Sequence, residues 1–189
     1  DHAYILTVIG ELDIRGLDVS GNVHGDAVAT FTDEKTQIIA EILALNSSDV
    51  FDDITRMSVT ERDLTAAEKK SVDSIGMYIA GKLYDITLYD YRGRPTTDIG
   101  GRKLRISVPL PKSLKFDSAY WGTFEDGKFT LLEHTMETIN DVWYLQYEYT
   151  DLSNLLVGVA AYNEYAEDIF PDEPVEDLNN EEDIPVFDY

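Results

Sequence analysis

Between residues 82 and 162 the chain is a succession of short alternating runs separated by turn residues, and few folds accommodate that pattern. In KLYDITLYDY, Tyr84, Ile86 and Leu88 fall on one face, with Asp85, Thr87 and Tyr89 on the other. RGRP then turns the chain. RKLRISVPLP repeats the alternation with Leu104, Ile106 and Val108 inward and Arg105 and Ser107 outward, and it stops at Pro109 and Pro111, which cannot donate to a ladder. DVWYLQYEYT and NLLVGVAAY supply two further strands, the second small and apolar enough to be central. Strands at this spacing predict a mainly β fold, an antiparallel β-sandwich.

The hairpin YWGTFEDGKFTLLEH can be registered in detail. With Asp126 and Gly127 at the centre of a type I′ turn, Glu125 faces Lys128, Phe124 faces Phe129, Thr123 faces Thr130, Gly122 faces Leu131 and Trp121 faces Leu132. Phe124, Phe129 and Leu131 then share one face, read as the core. Trp121, Thr123 and Lys128 fall on the wetter face, with Tyr120 beside them. The candidate ligand-binding residues are Trp121, Tyr120, Thr123 and Lys128, an aromatic platform edged by polar groups, as a sugar ring requires; packing against a neighbouring module, the chain's own helices or the acidic tail accounts for Trp121 on this face equally well. Trp143 alternates with Leu145, Tyr147 and Tyr149 and reads as core.

The first half adds two expected short helices. TDEKTQIIAEILALNSS places Ile38, Ile39, Ile42, Leu43 and Leu45 at helical spacing after Asp33 and Glu34, predicting a helix over 33–45. LTAAEK offers Thr65 with Glu68 three residues on, a capping box for a second helix ending near Gly76. ITRMSVTER between them reads as a strand or extended segment, and YILTVIGELDI as another strand. The organisation expected is a strand and helix portion over 1–80, belonging with the rest or standing beside it, a sandwich over 81–163, and an acidic tail or linker over 164–189.

Charge limits the partners. The 189 residues carry 37 acids against 15 Lys and Arg, a formal net charge of -22. That balance repels nucleic acid and anionic membranes. Residues 164–189 contain 11 of the acids, no Lys or Arg and three of the six prolines, the composition of a solvated linker in which IFP and IPVF could serve as apolar anchors. No apolar run is long enough to span a bilayer, and residues 1–14 lack the basic start of a signal peptide. Since the chain opens already patterned as structure, a segment of a longer protein is expected.

Catalytic signatures are missing from the sequence. His2, His24 and His134 form no zinc-ligand spacing, and there is no G-x-S-x-G, phosphate-binding loop or G-x-G-x-x-G. No cysteine is present for thiolate chemistry. No calcium loop of the D-x-[DN]-x-[DN]-G type occurs, leaving only FDDI and the tail acids as oxygen donors. The expectation is a non-enzyme with no cofactor and no metal.

Taken in order, YDITLYDYRGRPTTDIGGRKLRISVPLPKSL, YWGTFEDGKFTLLEH and WYLQYEYTDLSNLLVGV resemble the closing half of β-sandwich modules that recur in large secreted surface and cellulosome-associated proteins of Firmicutes. The resemblance covers roughly residues 82–160 and consists of strand ends and turns: a G-x-P-like turn, a V-x-L-P strand, a D-G hairpin and a T-D-x-S corner. Leu155 departs from it, standing where the pattern has an aromatic residue. The resemblance implies an extracellular or cell-surface stalk, spacer or adhesive module, whose partners are neighbouring modules or another protein, with no catalytic residues to carry over. The alternative is a carbohydrate-binding module recognising a polysaccharide through exposed aromatics.

Overall fold

The computed structural model describes residues 23–163. Its most local feature is the D-G hairpin, where Asp126 and Gly127 both take positive φ, 50° and 77°. The strands it joins, β8 (Tyr120–Glu125) and β9 (Lys128–Leu132), pair in the register that this turn dictates, from Glu125 opposite Lys128 to Trp121 opposite Leu132. Nothing crowds the Gly127 Cα, so a side chain there meets only backbone strain. Gly127→Val is expected to cost about 1–3 kcal/mol, because β-branched residues tolerate positive φ poorly. Thermal unfolding measures it, and an unchanged midpoint would count against the turn.

Two antiparallel sheets face each other. The first runs in the order β1 (Ala27–Thr32), β2 (Ile39–Leu43), β7 (Leu104–Pro109), β11 (Val142–Tyr149), β10 (Thr135–Ile139). The second runs β3 (Ile54–Arg62), β5 (Leu83–Asp90), β12 (Leu156–Tyr162), β8, β9, with β4 (Met77–Ile79) beside β12 and β6 (Pro95–Thr96) beside β5. Strands from residues 27–62 thus lie in the same two sheets as those from 83–162. Ala40, Ile42, Leu104, Ile106, Val108 and Leu145 of the first sheet meet Ile86, Leu88, Trp121, Val157 and Val159 of the second in the main core.

The predicted helix over 33–45 is instead the β1–β2 connection and β2 itself. The Asp33 carboxylate accepts from the Thr36 amide and hydroxyl, and Gln37 at φ 60° turns the chain back. Ile38, Ala40 and Ile42 then alternate into the core while Ile39 and Glu41 are buried on the outer face. A strand buried on both sides fills consecutive positions with apolar groups and mimics helical spacing over so short a run. The second expected helix is present as α1 (Ala66–Asp73), with Thr65 and Glu68 forming the reciprocal cap. Arg62 grips the Glu68 carboxylate at 2.7 and 2.8 Å, and this pairing holds the group down near pKa 2.

Helix α1 covers the outer face of the second sheet. Val72 packs with Met77, Leu83, Phe124, Phe129 and Ala160, and Ser71 Oγ accepts the Phe129 amide of β9 at 2.8 Å. That bond occupies a donor that an edge strand would otherwise present to other chains. The phenylalanine row of the hairpin therefore lies under the helix, and the opposite row, with Trp121, faces the space between the sheets. YILTVIGELDI and the acidic tail lie outside the described residues.

Candidate functional site

Among the expected binding residues, Trp121 is fully buried and Thr123 nearly so. The indole stacks on Tyr147 at 5.8 Å, contacts Tyr149 at 6.3 Å and donates its Nε1 hydrogen to the Tyr149 hydroxyl at 3.3 Å. Burial, only partly offset by that hydrogen bond, pushes Tyr149 up to about 12. The Thr123 hydroxyl donates to the Leu156 carbonyl. Lys128 is exposed at the hairpin tip, so the four residues form no common surface. The reading of Trp143 is corrected too: it keeps the phase of Leu145 and Tyr149, yet stands at the far end of β11, 44% exposed. There it stacks on the exposed ring of Phe116 at 5.5 Å and 18°.

Tyr120 does line a cleft, on a different part of the sheet. Adjacent strands β4, β12 and β8 bring Tyr78, Tyr162 and Tyr120 to one end of the second sheet, around a cleft of about 760 Å³. Tyr120 and Tyr162 meet edge to face at 5.3 Å, and Tyr120 meets His134 similarly at 6.5 Å. Ser113, Lys115, Asp117 and Asn163 supply polar groups at its margin. Tyr78 and Tyr162 escaped the sequence reading because 84 residues separate them and only the pairing of β4 with β12 joins them. Aromatic rings with mixed hydrogen-bonding groups suit a neutral polyhydroxylated ligand.

A second cleft, of about 1070 Å³, opens on the outer face of the first sheet. Strand register sets Glu41, Arg105 and Glu148 directly opposite one another across β2, β7 and β11. Glu41 is fully buried. Arg105 binds Asp26 through two hydrogen bonds at 2.6 and 3.0 Å and approaches Glu41 at 3.5 Å and Glu148 at 3.4 Å. The Asp26 bond raises the guanidinium well above its ordinary value and depresses the Asp26 carboxyl. Lys103 pairs with Glu148 at 3.1 Å.

His24 lies across this row. Its Nδ1 is 2.8 and 2.9 Å from the two Glu41 oxygens, and its Nε2 is 2.9 Å from both oxygens of Glu137 on β10. Its backbone amide also donates to Glu41, at 3.2 Å. With 17 residues to Glu41 and 113 to Glu137, no local spacing announces the cluster. Among the described residues, no group of three or more His, Asp or Glu side chains is set to hold a metal ion, and no helix is long and apolar enough to cross a membrane. Comparison with protein-family models, with curated proteins and with solved structures gives no match for this chain.

Proposed function

We propose that the chain is a non-catalytic, extracellular β-sandwich module with a structural or adhesive role inside a larger protein. The observation that carries this reading is how the charged groups of the wider cleft are used. His24, Asp26, Glu41, Arg105, Glu137, Lys103 and Glu148 are engaged with one another, cross-linking four strands and the segment before β1. Such a network stiffens a slab. The resemblance of residues 82–160 to stalk and spacer modules agrees with this reading. An antibody raised against residues 23–163 should label intact cells of the source organism. Labelling only after permeabilisation would sink the extracellular placement.

The tyrosine cleft favours a second reading, carbohydrate binding, with Tyr120 retained from the sequence-derived residues and Tyr78 and Tyr162 replacing the others. If it holds, gel retardation by neutral polysaccharides should be lost stepwise in Tyr120→Ala and Tyr162→Ala. Each ring is worth about 0.5–1.5 kcal/mol, or roughly 2- to 10-fold in affinity. Retardation that persists in the double variant would exclude this cleft.

A further inference from the structure

We propose that His24 is a proton-operated clamp that fastens residues 23–26 to the edge strand β10 and opens at Glu137 when the imidazole loses its Nε2 proton. With Glu41 and Glu137 both ionised, the geometry admits one protonation state of the ring. Both ring nitrogens lie within 2.9 Å of carboxylate oxygens, which accept only, so both must carry hydrogen and the ring is an imidazolium. Removing a proton leaves a lone pair facing a carboxylate oxygen, and the contact on that side becomes repulsive.

Which side opens follows from burial. The Glu41 side chain is wholly enclosed, and its other charged neighbour, Arg105, is at 3.5 Å and committed to Asp26. Losing the Nδ1 donor would leave the enclosed carboxylate with only the His24 amide at 3.2 Å and the distant Arg105. Glu137 is 39% exposed, and water can solvate it once it is released. The neutral ring therefore keeps hydrogen on Nδ1 and frees Glu137. In water the neutral imidazole prefers the other tautomer, so this preference is specific to the site.

The surroundings set the direction of the titration. Facing His24 are Glu41 from β2, Arg105 from β7, Glu137 from β10, Glu148 from β11 and Asp26 from its own segment. Lys103, Glu133 and His134 line the same cleft. Desolvation, which disfavours the charged ring, is outweighed by the bonds to Glu137 and Glu41, and the pKa is raised above the ordinary 6.5. A pKa higher in the folded than in the unfolded chain gives stability fully present below about pH 6.5 and lost as pH rises through the folded value. The clamp is thus closed below about pH 6.5 and opens as the pH rises through the raised His24 pKa, widening the cleft between residues 23–26 and β10.

The test is imidazole ¹⁵N NMR on the intact chain from about pH 5 to about pH 9. Expected are a midpoint above 6.5 and, past it, hydrogen retained on Nδ1 and lost from Nε2. Glu137→Gln should lower the midpoint, and His134→Gln, altering the same cleft without touching His24, should leave it in place. The amide of Ala44, which donates to the Asp26 carbonyl at 2.8 Å, should keep its exchange protection through the transition, because the Glu41 side of the clamp stays closed. A midpoint at or below the ordinary value, an Nε2–H neutral form, or a midpoint indifferent to Glu137→Gln would overturn the proposal. Each reading comes from the wild type or from a surface substitution, so none depends on a variant of the buried glutamate folding.

Discussion

Trp121→Ala is expected to remove about 3–5 kcal/mol of folding stability, the usual cost of deleting a buried aromatic ring. Against a total of about 5–15 kcal/mol for a domain, that loss is a large share of what holds the protein folded. The indole fills the space between the sheets, against Tyr147 and Tyr149 from the opposite one. Its removal also leaves the enclosed Tyr149 hydroxyl without the hydrogen bond it accepts. Trp143→Ala deletes the same atoms from a half-exposed position and is expected to cost about 1 kcal/mol or less, in the range of surface substitutions plus one lost stacking contact. Urea titration of both variants gives the comparison directly. Equal losses would mean that Trp121 is not in the core, and a milder loss at Trp121 would reverse the assignment of faces in the hairpin. Fluorescence supplies an independent check: emission from Trp121, read in Trp143→Ala, should lie at shorter wavelength than emission from Trp143.

The hairpin shows where sequence reasoning reaches its limit. Turn chemistry defined the pairing residue by residue, and alternation sorted the side chains correctly into two rows. Deciding which row faces the other sheet needed a fact that neither rule contains: α1 lies over the phenylalanine row, so both faces of β8 are buried. The same circumstance misled the reading of Ile38–Leu43, where burial on both faces erased the alternation that marks a strand. Trp143 failed differently. Its phase was right, but it stands at the end of β11, where it stays 44% exposed and stacks on the exposed ring of Phe116. The capping box at Thr65 and Glu68 was legible because its whole mechanism lies within four residues. The clefts were not, since Tyr78, Tyr120 and Tyr162, like His24, Glu41 and Glu137, meet only through pairings between distant strands.

Gly122→Ala is expected to destabilise the protein by about 1–3 kcal/mol, the cost of adding a methylene where no room exists. Gly122 lies on the helix-covered face of β8, and a Cβ there would sit 2.2 Å from Cζ and 2.4 Å from Cε2 of Phe129. The ring has little freedom to retreat: it is 4% exposed, 5.2 Å from the ring of Phe124, and enclosed with Val72 of α1. Backbone conformation adds nothing, since Gly122 is not among the glycines with positive φ. The strain is therefore steric and assignable to one partner, which a double-mutant cycle can isolate. Phe129→Ala alone should cost about 3–5 kcal/mol through the cavity it leaves under the helix. In that background the added methyl at 122 enters the vacated space, and Gly122→Ala should become neutral or stabilising, a coupling of about 1–3 kcal/mol. Additive losses would show that the clash lies elsewhere, with the Gly158 carbonyl at 3.4 Å the next atom to consider. Because the Phe129 amide is bonded to Ser71, a ring displaced by the new methyl should also loosen α1 from β9. Faster amide exchange at Phe129 in Gly122→Ala than in wild type would show that the helix is seated on the sheet through this glycine's missing side chain.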